Sequence, residues 1–329
     1  MKNDTKCLKT GYISGNGEPL ALPIYQSTTY TYDSTDDIGK LFDLAADGHM
    51  YSRISNPTVA YYEQKLAALE GGIGAVCTTS GQAASFLSLF NICTAGQHFI
   101  ACAKIYGGTY NLFNVTMRRM GIDCTFIDQD ASEDEIQKAF RPNTRAVFGE
   151  SLANPALSVL DIEKLARIAH KNGVPLIVDN TFPTPIFCNP IRFGADIVVH
   201  STTKYLDGHA TCVGGVVIDS GNFVWDKNRY PELTTPDESY HGLTYTESFG
   251  KAAYITKLRV QLIRDLGMYP AAFSAFLTDL GTQTLGVRME RHAKNALTVA
   301  KYLEKRPEIE RVNYPGLESD PYHELAMKY

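Results

Sequence analysis

The sequence predicts an α/β fold: a mainly parallel sheet with helices on both faces, continued by the start of a smaller C-terminal domain. Three observations carry that expectation. Short apolar runs alternate with amphipathic segments from residue 75 onward. The runs are apolar throughout, as suits strands covered on both faces by helices. After residue 246 the pattern turns helical, with apolar residues recurring every three or four positions.

The first stretch, to about Asn56, is rich in Gly, Pro, Thr, Tyr and Asp and has weak periodicity, so it reads as an extended arm. A helix pattern follows from Pro57, with Tyr62, Leu66 and Leu69 on one face and Gly71-Gly72 as its stop. Strands are then expected over 75–78, 98–102, 124–127, 145–149, 176–178, 196–199 and 215–218. Helices are expected over 83–93, 109–120 and 161–172, the last capped by Asp161 and ended by Gly173. A long helix over 285–303 carries an apolar stripe of Leu285, Met289, Ala293, Ala296, Ala300 and Leu303. After it come one short strand, 311–314, and a helix start at Asp320-Pro321 with no stop signal. The expected partition is an arm over 1–57, an α/β domain over 58–255, and a linking helix with an incomplete C-terminal domain over 256–329, the chain ending inside that second domain.

Length and composition bound the function. The 329 residues, 44% hydrophobic and 20% charged, describe a globular chain and exclude a fibrous or disordered one. With net charge −5 and no basic stripe, no nucleic-acid partner is expected. No apolar run approaches the roughly 20 residues that cross a bilayer, and the polar N-terminus lacks a signal-peptide core. Seven cysteines without a CxxC pair predict neither a disulfide framework nor a zinc site, so no metal is expected. Buried free thiols in the cytoplasm are the expectation.

In open α/β sheets ligands sit beyond the carboxyl ends of the strands, and four such ends here carry pointed chemistry. Ser80-Gly81-Gln82 lies where a strand turns into a helix, whose free N–H groups suit an anion. Asp179 ends a buried strand, a costly place for a carboxylate without a cation or strong donors. Lys204 follows another strand, with the hydroxyls of Ser201 and Thr203 just before it; hydroxyls can bind a phosphate and an amine can form an imine with an aldehyde. Tyr106 precedes the Gly107-Gly108 turn and can lie flat on a ring. Taken singly, these also fit plainer roles: a capped helix, a structural ion pair, a solvated lysine, a turn aromatic. Their order along the chain, each at a strand end, is what points to one site.

With those residues assembled, the sequence resembles the pyridoxal-phosphate (PLP) enzymes of cysteine and methionine metabolism, the cystathionine γ-synthase-like group. The resemblance rests on Tyr51-Ser52-Arg53-Ile54-Ser55-Asn56-Pro57-Thr58, Ser80-Gly81-Gln82-Ala83, Tyr106-Gly107-Gly108-Thr109, Glu150-Ser151-Leu152-Ala153-Asn154-Pro155, Asp179-Asn180-Thr181 and Ser201-Thr202-Thr203-Lys204. It implies a PLP-dependent transferase of fold type I, like aspartate aminotransferase. It also implies that Lys204 forms the Schiff base and shuttles protons in a desolvated site, that Asp179 pairs with the pyridinium nitrogen, and that Tyr106 stacks on the ring. Gly81, Gln82, Ser201 and Thr203 would hold the phosphate, Ser80 would belong to the same turn, and Asn154 would lie near the ring hydroxyl. Tyr51 and Arg53 would reach the phosphate of a neighbouring subunit, in a homotetramer built from dimers with shared active sites. Within the group, 236–242, 249–259 and 284–296 are similar to O-acetylhomoserine sulfhydrylases, which implies γ-replacement of acetate by sulfide or a thiol, giving homocysteine or methionine. Gly108, where methionine γ-lyases carry Cys, argues against that lyase. The alternatives are a γ-lyase acting on cystathionine or a related amino acid, and a chain that binds PLP without turnover because the family's carboxylate-binding Arg lies in a stretch beyond residue 329.

Overall fold

The computed structural model describes residues 1–329. Seven strands, β1 (Gly74–Thr78), β2 (His98–Cys102), β3 (Asp123–Ile127), β4 (Thr144–Glu150), β5 (Leu176–Asp179), β6 (Ile197–His200) and β7 (Gly215–Asp219), form one sheet. Its order is β1-β7-β6-β5-β4-β2-β3. Strands β3, β2, β4, β5 and β6 pair in parallel. Strand β7 runs antiparallel to both of its neighbours, β6 and β1. The segment 201–214 contains only turns and no crossover helix, so the chain returns antiparallel there. The central strands β2, β4, β5 and β6 are buried along their whole length. This is why they read as continuous apolar runs rather than alternating ones.

The helices begin and end where local chemistry dictates. The Pro57–Glu70 helix opens with Pro57 at its first turn and the Asn56 side chain accepting from the Thr58 N–H, and it closes at Gly71 in the left-handed region, φ 82°. Ser80 caps the Gly81–Phe90 helix through the Ala83 N–H, so this helix starts two residues before the expected 83. Asp161 caps Ile162–Lys171 as expected. The expected helix over 109–120 is a short helix, Gly107–Asn111, continued by wide π-type turns over Leu112–Met117.

The long helix spans Leu285–Leu303, but only part of its stripe is covered: Leu285, Met289 and Ala300 are buried while Ala296 is exposed. The expected strand over 311–314 is absent; the segment has no partner strand to pair with. Past Asp320, whose carboxylate accepts from the Tyr322 N–H at 2.9 Å, a short helix covers His323–Lys328. Within the first 57 residues, Asn3–Lys9 and Thr35–Phe42 are helical, neither anticipated, and Cys7 is buried.

Buried ion pairs tie the helices together. Lys65 and Asp279 meet at 2.5 Å with both side chains 5% exposed, joining the Pro57–Glu70 and Ala272–Gln283 helices. Arg259 donates to Glu63 at 2.5 Å. All seven cysteines are free thiols, six of them buried. No helix is long and apolar enough to cross a membrane.

Candidate active site

Strands β4, β5 and β6 are consecutive in the sheet and point the same way, so their carboxyl ends lie side by side. Glu150 pairs in register with Asp179, and His200 leads directly into the Ser201 turn. Beyond these ends is a cavity of about 250 Å³ lined by Ser80, Gly81, Gln82, Tyr106, Asn154, Asp179, Ser201, Thr203 and Lys204. Nine of the residues singled out from sequence therefore meet in one place, at the edge where an open parallel sheet takes its ligands.

Close approach of backbone builds the anion side. A Cβ on Gly81 would stand 2.5 Å from Ser201 Cβ and 2.9 Å from Ser201 Cα, so only glycine lets the helix N-terminus lie against the Ser201 turn. The N–H groups of Gly81 and Gln82 take no acceptor from the chain, as first-turn donors do. The Ser80 hydroxyl is engaged in capping, 3.1 Å from the Ala83 N–H. The Thr203 hydroxyl faces the Gly214 backbone, accepting from its N–H at 3.0 Å and standing 3.2 Å from its carbonyl.

The acidic side is organised around Asp179, 8% exposed. Its Oδ1 accepts from the Thr181 N–H at 3.0 Å and the Thr181 hydroxyl at 2.5 Å, and that hydroxyl accepts from the Ser201 N–H at 2.9 Å. This chain of bonds couples the anion turn to the carboxylate. Oδ2 takes no donor from the chain. Burial raises the Asp179 carboxyl above its ordinary range, with the Thr181 donors and nearby His200 opposing. Behind it, Glu70 accepts from Asn180 at 2.8 Å and meets His200 Nε2 at 2.7 Å, fixing the strand ends from within the core.

Tyr106 is 49% exposed, and its ring folds back over Gly108: a Cβ there would stand 2.5 Å from Tyr106 Cε1. Thr109 donates to the Gln82 side chain at 3.0 Å, tying this turn to the helix start. Lys204 lines the cavity without an ion-pair partner and is exposed, so the desolvated surroundings expected for it are not supplied by this chain alone. Tyr51 and Arg53 are not part of this cavity. Arg53 lies over the Tyr51 ring at 5.1 Å and donates to the Arg264 carbonyl, and the Tyr51 side chain is exposed.

Among the lining residues with no role assigned from sequence, Thr181 and Glu150 organise the site. Thr181 carries the link between Ser201 and Asp179 described above. Glu150, 7% exposed, accepts from the Tyr106 N–H at 3.1 Å and the Asn154 N–H at 3.2 Å. Burial, reinforced by Asp179, pushes its carboxyl up to about 8. The signal for Glu150 was available: it ends β4 as Asp179 ends β5.

Residues 4–329 match the model of the Cys/Met metabolism PLP-dependent enzyme family. An O-acetyl-L-homoserine sulfhydrylase of Leptospira meyeri is 47% identical over 317 residues, covering 94% of this chain and 72% of the relative. A homocysteine synthase of Schizosaccharomyces pombe is 47% identical over 312 residues, with the same coverage of 94% and 72%. The fold superposes with a TM-score of 0.96 on a Campylobacter jejuni structure described as an O-acetylhomoserine (thiol)-lyase with N'-pyridoxyl-lysine-5'-monophosphate; it is 38% identical and covers all of this chain and 82% of that one. The order of the motifs, the sheet that gathers them and these matches agree: the chain belongs to the Cys/Met metabolism PLP-dependent enzymes.

Proposed function

We infer that the chain catalyses γ-replacement on O-acetyl-L-homoserine, exchanging acetate for sulfide or a thiol to give homocysteine or methionine. The observation that carries this is the convergence of Lys204, Asp179 and the Gly81–Ser201 anion turn on one cavity, in a chain 47% identical to an O-acetyl-L-homoserine sulfhydrylase and to a homocysteine synthase.

The residues present fit the cofactor. Two helix N–H groups without acceptors and the Ser201 hydroxyl suit its phosphate. A buried carboxylate with one oxygen free suits its protonated ring nitrogen, and an amine without an ion pair suits its aldehyde. We assign Gly81, Gln82, Ser201 and Thr203 to the phosphate with Ser80 shaping the turn, Asp179 to the ring nitrogen, Tyr106 to the ring face, Asn154 to the ring hydroxyl and Lys204 to covalent attachment. Bound there, PLP supplies an electron sink for the pair left when a proton leaves the substrate Cα.

The chain's own residues do the rest. Asp179 would keep a proton on the ring nitrogen. Lys204 Nζ would take protons at the substrate Cα and Cβ and return them. At Cγ the C–O bond breaks and acetate leaves with the electron pair. Sulfide then forms the C–S bond at the same carbon.

Tyr51 and Arg53 are proposed to complete the site of a neighbouring subunit, in a homotetramer built from dimers and located in the cytoplasm. Their separation from the Lys204 cavity and the exposure of Tyr51 support that reading. The proposed boundaries are an arm over 1–57, a PLP-binding domain over 58–255 and a linking helix with C-terminal residues over 256–329. The test is acetate release from O-acetylhomoserine with and without sulfide. Sulfide-dependent release with stoichiometric homocysteine supports replacement. Equal release without sulfide, with no homocysteine, identifies a lyase and overturns it.

A further inference from the structure

Glu150 is a buried carboxyl without an ion-pair partner, standing in the wall of the site. Such a group is costly unless its oxygens are satisfied, and here each oxygen accepts from a backbone N–H on a different loop. Oε1 takes the Tyr106 N–H at 3.1 Å, on the turn after β2. Oε2 takes the Asn154 N–H at 3.2 Å, on the loop after β4. Strand β4 lies between β2 and β5 in the sheet, so its last side chain is placed to reach the Tyr106 turn on one side while standing beside Asp179 on the other.

We propose that Glu150 is a positioning residue: its single carboxyl clamps the Tyr106 turn and the Asn154 loop together and thereby fixes the width of the slot that takes the cofactor ring. Buried Ile105 and Thr109 anchor the flanks of the Tyr106 turn, and Thr109 ties it to Gln82 at 3.0 Å, but the Tyr106 ring itself is half-exposed and the Glu150 bond is the one made to its N–H. Without the clamp, Tyr106 and Asn154 are free to drift apart while Lys204, Asp179 and the anion turn stay where they are. The clamp rests on the cofactor site proposed above. Fixation of PLP to Lys204 of the wild-type protein by borohydride tests that site by itself, so the two can fail separately.

The experiment compares wild-type, E150A and E150Q holoenzyme. Four properties are read: apoprotein Tm, the PLP dissociation constant, the visible circular dichroism of the bound cofactor, and the kinetics (kcat and KM) with O-acetylhomoserine and sulfide. E150A loses both bonds, which corresponds to a dissociation constant raised on the order of tenfold, with a weakened visible dichroic band. E150Q keeps one acceptor oxygen and turns an amide donor toward the second N–H, so it falls between wild type and E150A. If E150A does not fold, E150Q decides by the same readouts. An unchanged dissociation constant and dichroic band in the folded variants overturn the proposal. So does loss of kcat with both unchanged, which would make Glu150 a proton-transfer group. A fall in apoprotein Tm, with the folded fraction binding and reporting as wild type, assigns Glu150 to the fold alone and equally overturns it.

Discussion

Replacing Gly81 with Ala should weaken cofactor binding through one steric contact. The added methyl stands 2.5 Å from Ser201 Cβ and 2.9 Å from Ser201 Cα and Oγ, whereas carbon atoms rest at about 3.5–4.0 Å. The helix N-terminus and the Ser201 turn must therefore separate by about 1 Å. Neither side can swing away, because the clash is with Cα and Cβ atoms and not with the end of a flexible side chain. Overpacking of this kind costs about 1–3 kcal/mol. Spent on the geometry that gathers the Gly81 and Gln82 N–H groups and the Ser201 hydroxyl, this raises the PLP dissociation constant by about fivefold to about 150-fold. The assay is reconstitution of apoprotein with PLP followed by visible absorbance, with Tm of the apoprotein measured in parallel. Affinity within about twofold of wild type, together with an unchanged Tm, would refute the close-approach argument.

Gly108→Ala puts a Cβ 2.5 Å from Tyr106 Cε1; since that ring is half-exposed it should swing aside, altering the visible dichroism of bound cofactor while Tm stays put, and an unchanged spectrum would contradict this. Lys65→Ala leaves Asp279 buried without its cation, so urea unfolding should show a loss of about 3–5 kcal/mol; a loss near zero would show that the pair is dispensable. Asp219 is buried and its carboxyl is pushed up to about 7, chiefly by burial, with Asp196 adding and the Gly221 N–H opposing. A folded-state pKa above the unfolded one contributes stability that is complete below the unfolded pKa of about 4 and lost as pH rises through about 7. Asp219→Asn should therefore gain on wild type by a few kcal/mol between pH ~5 and ~8; a difference that does not change with pH would contradict the assignment.

Much of the sheet was legible because its strands are buried on both faces and bounded by turn residues, as at His98–Cys102, whose limits match those expected. Hydropathy carries no direction, so the antiparallel course of Gly215–Asp219 was not legible. Nor does it guarantee a partner: 311–314 has a strand-like composition but nothing to pair with. The Glu133–Gln137 helix has one buried apolar residue, Ile136, and so no periodicity; its signal is the capping box of Ser132 and Glu135. At the site, Asp179, Ser201 and Lys204 could be read from sequence because each ends or follows a buried strand. The clamp by Glu150 could not, because its partners are backbone N–H groups on two loops and no side-chain pattern records them. Tyr51 and Arg53 had only the family resemblance to single them out, and within one chain they stand apart from the cavity.

The central claim is that Lys204 carries the cofactor. Holoprotein reduced with borohydride and digested should yield one pyridoxyl-labelled peptide, containing Lys204, and Lys204→Ala should remove both the label and sulfide-dependent turnover. A label on any other lysine, the buried Lys257 included, or turnover that survives Lys204→Ala, would contradict the account.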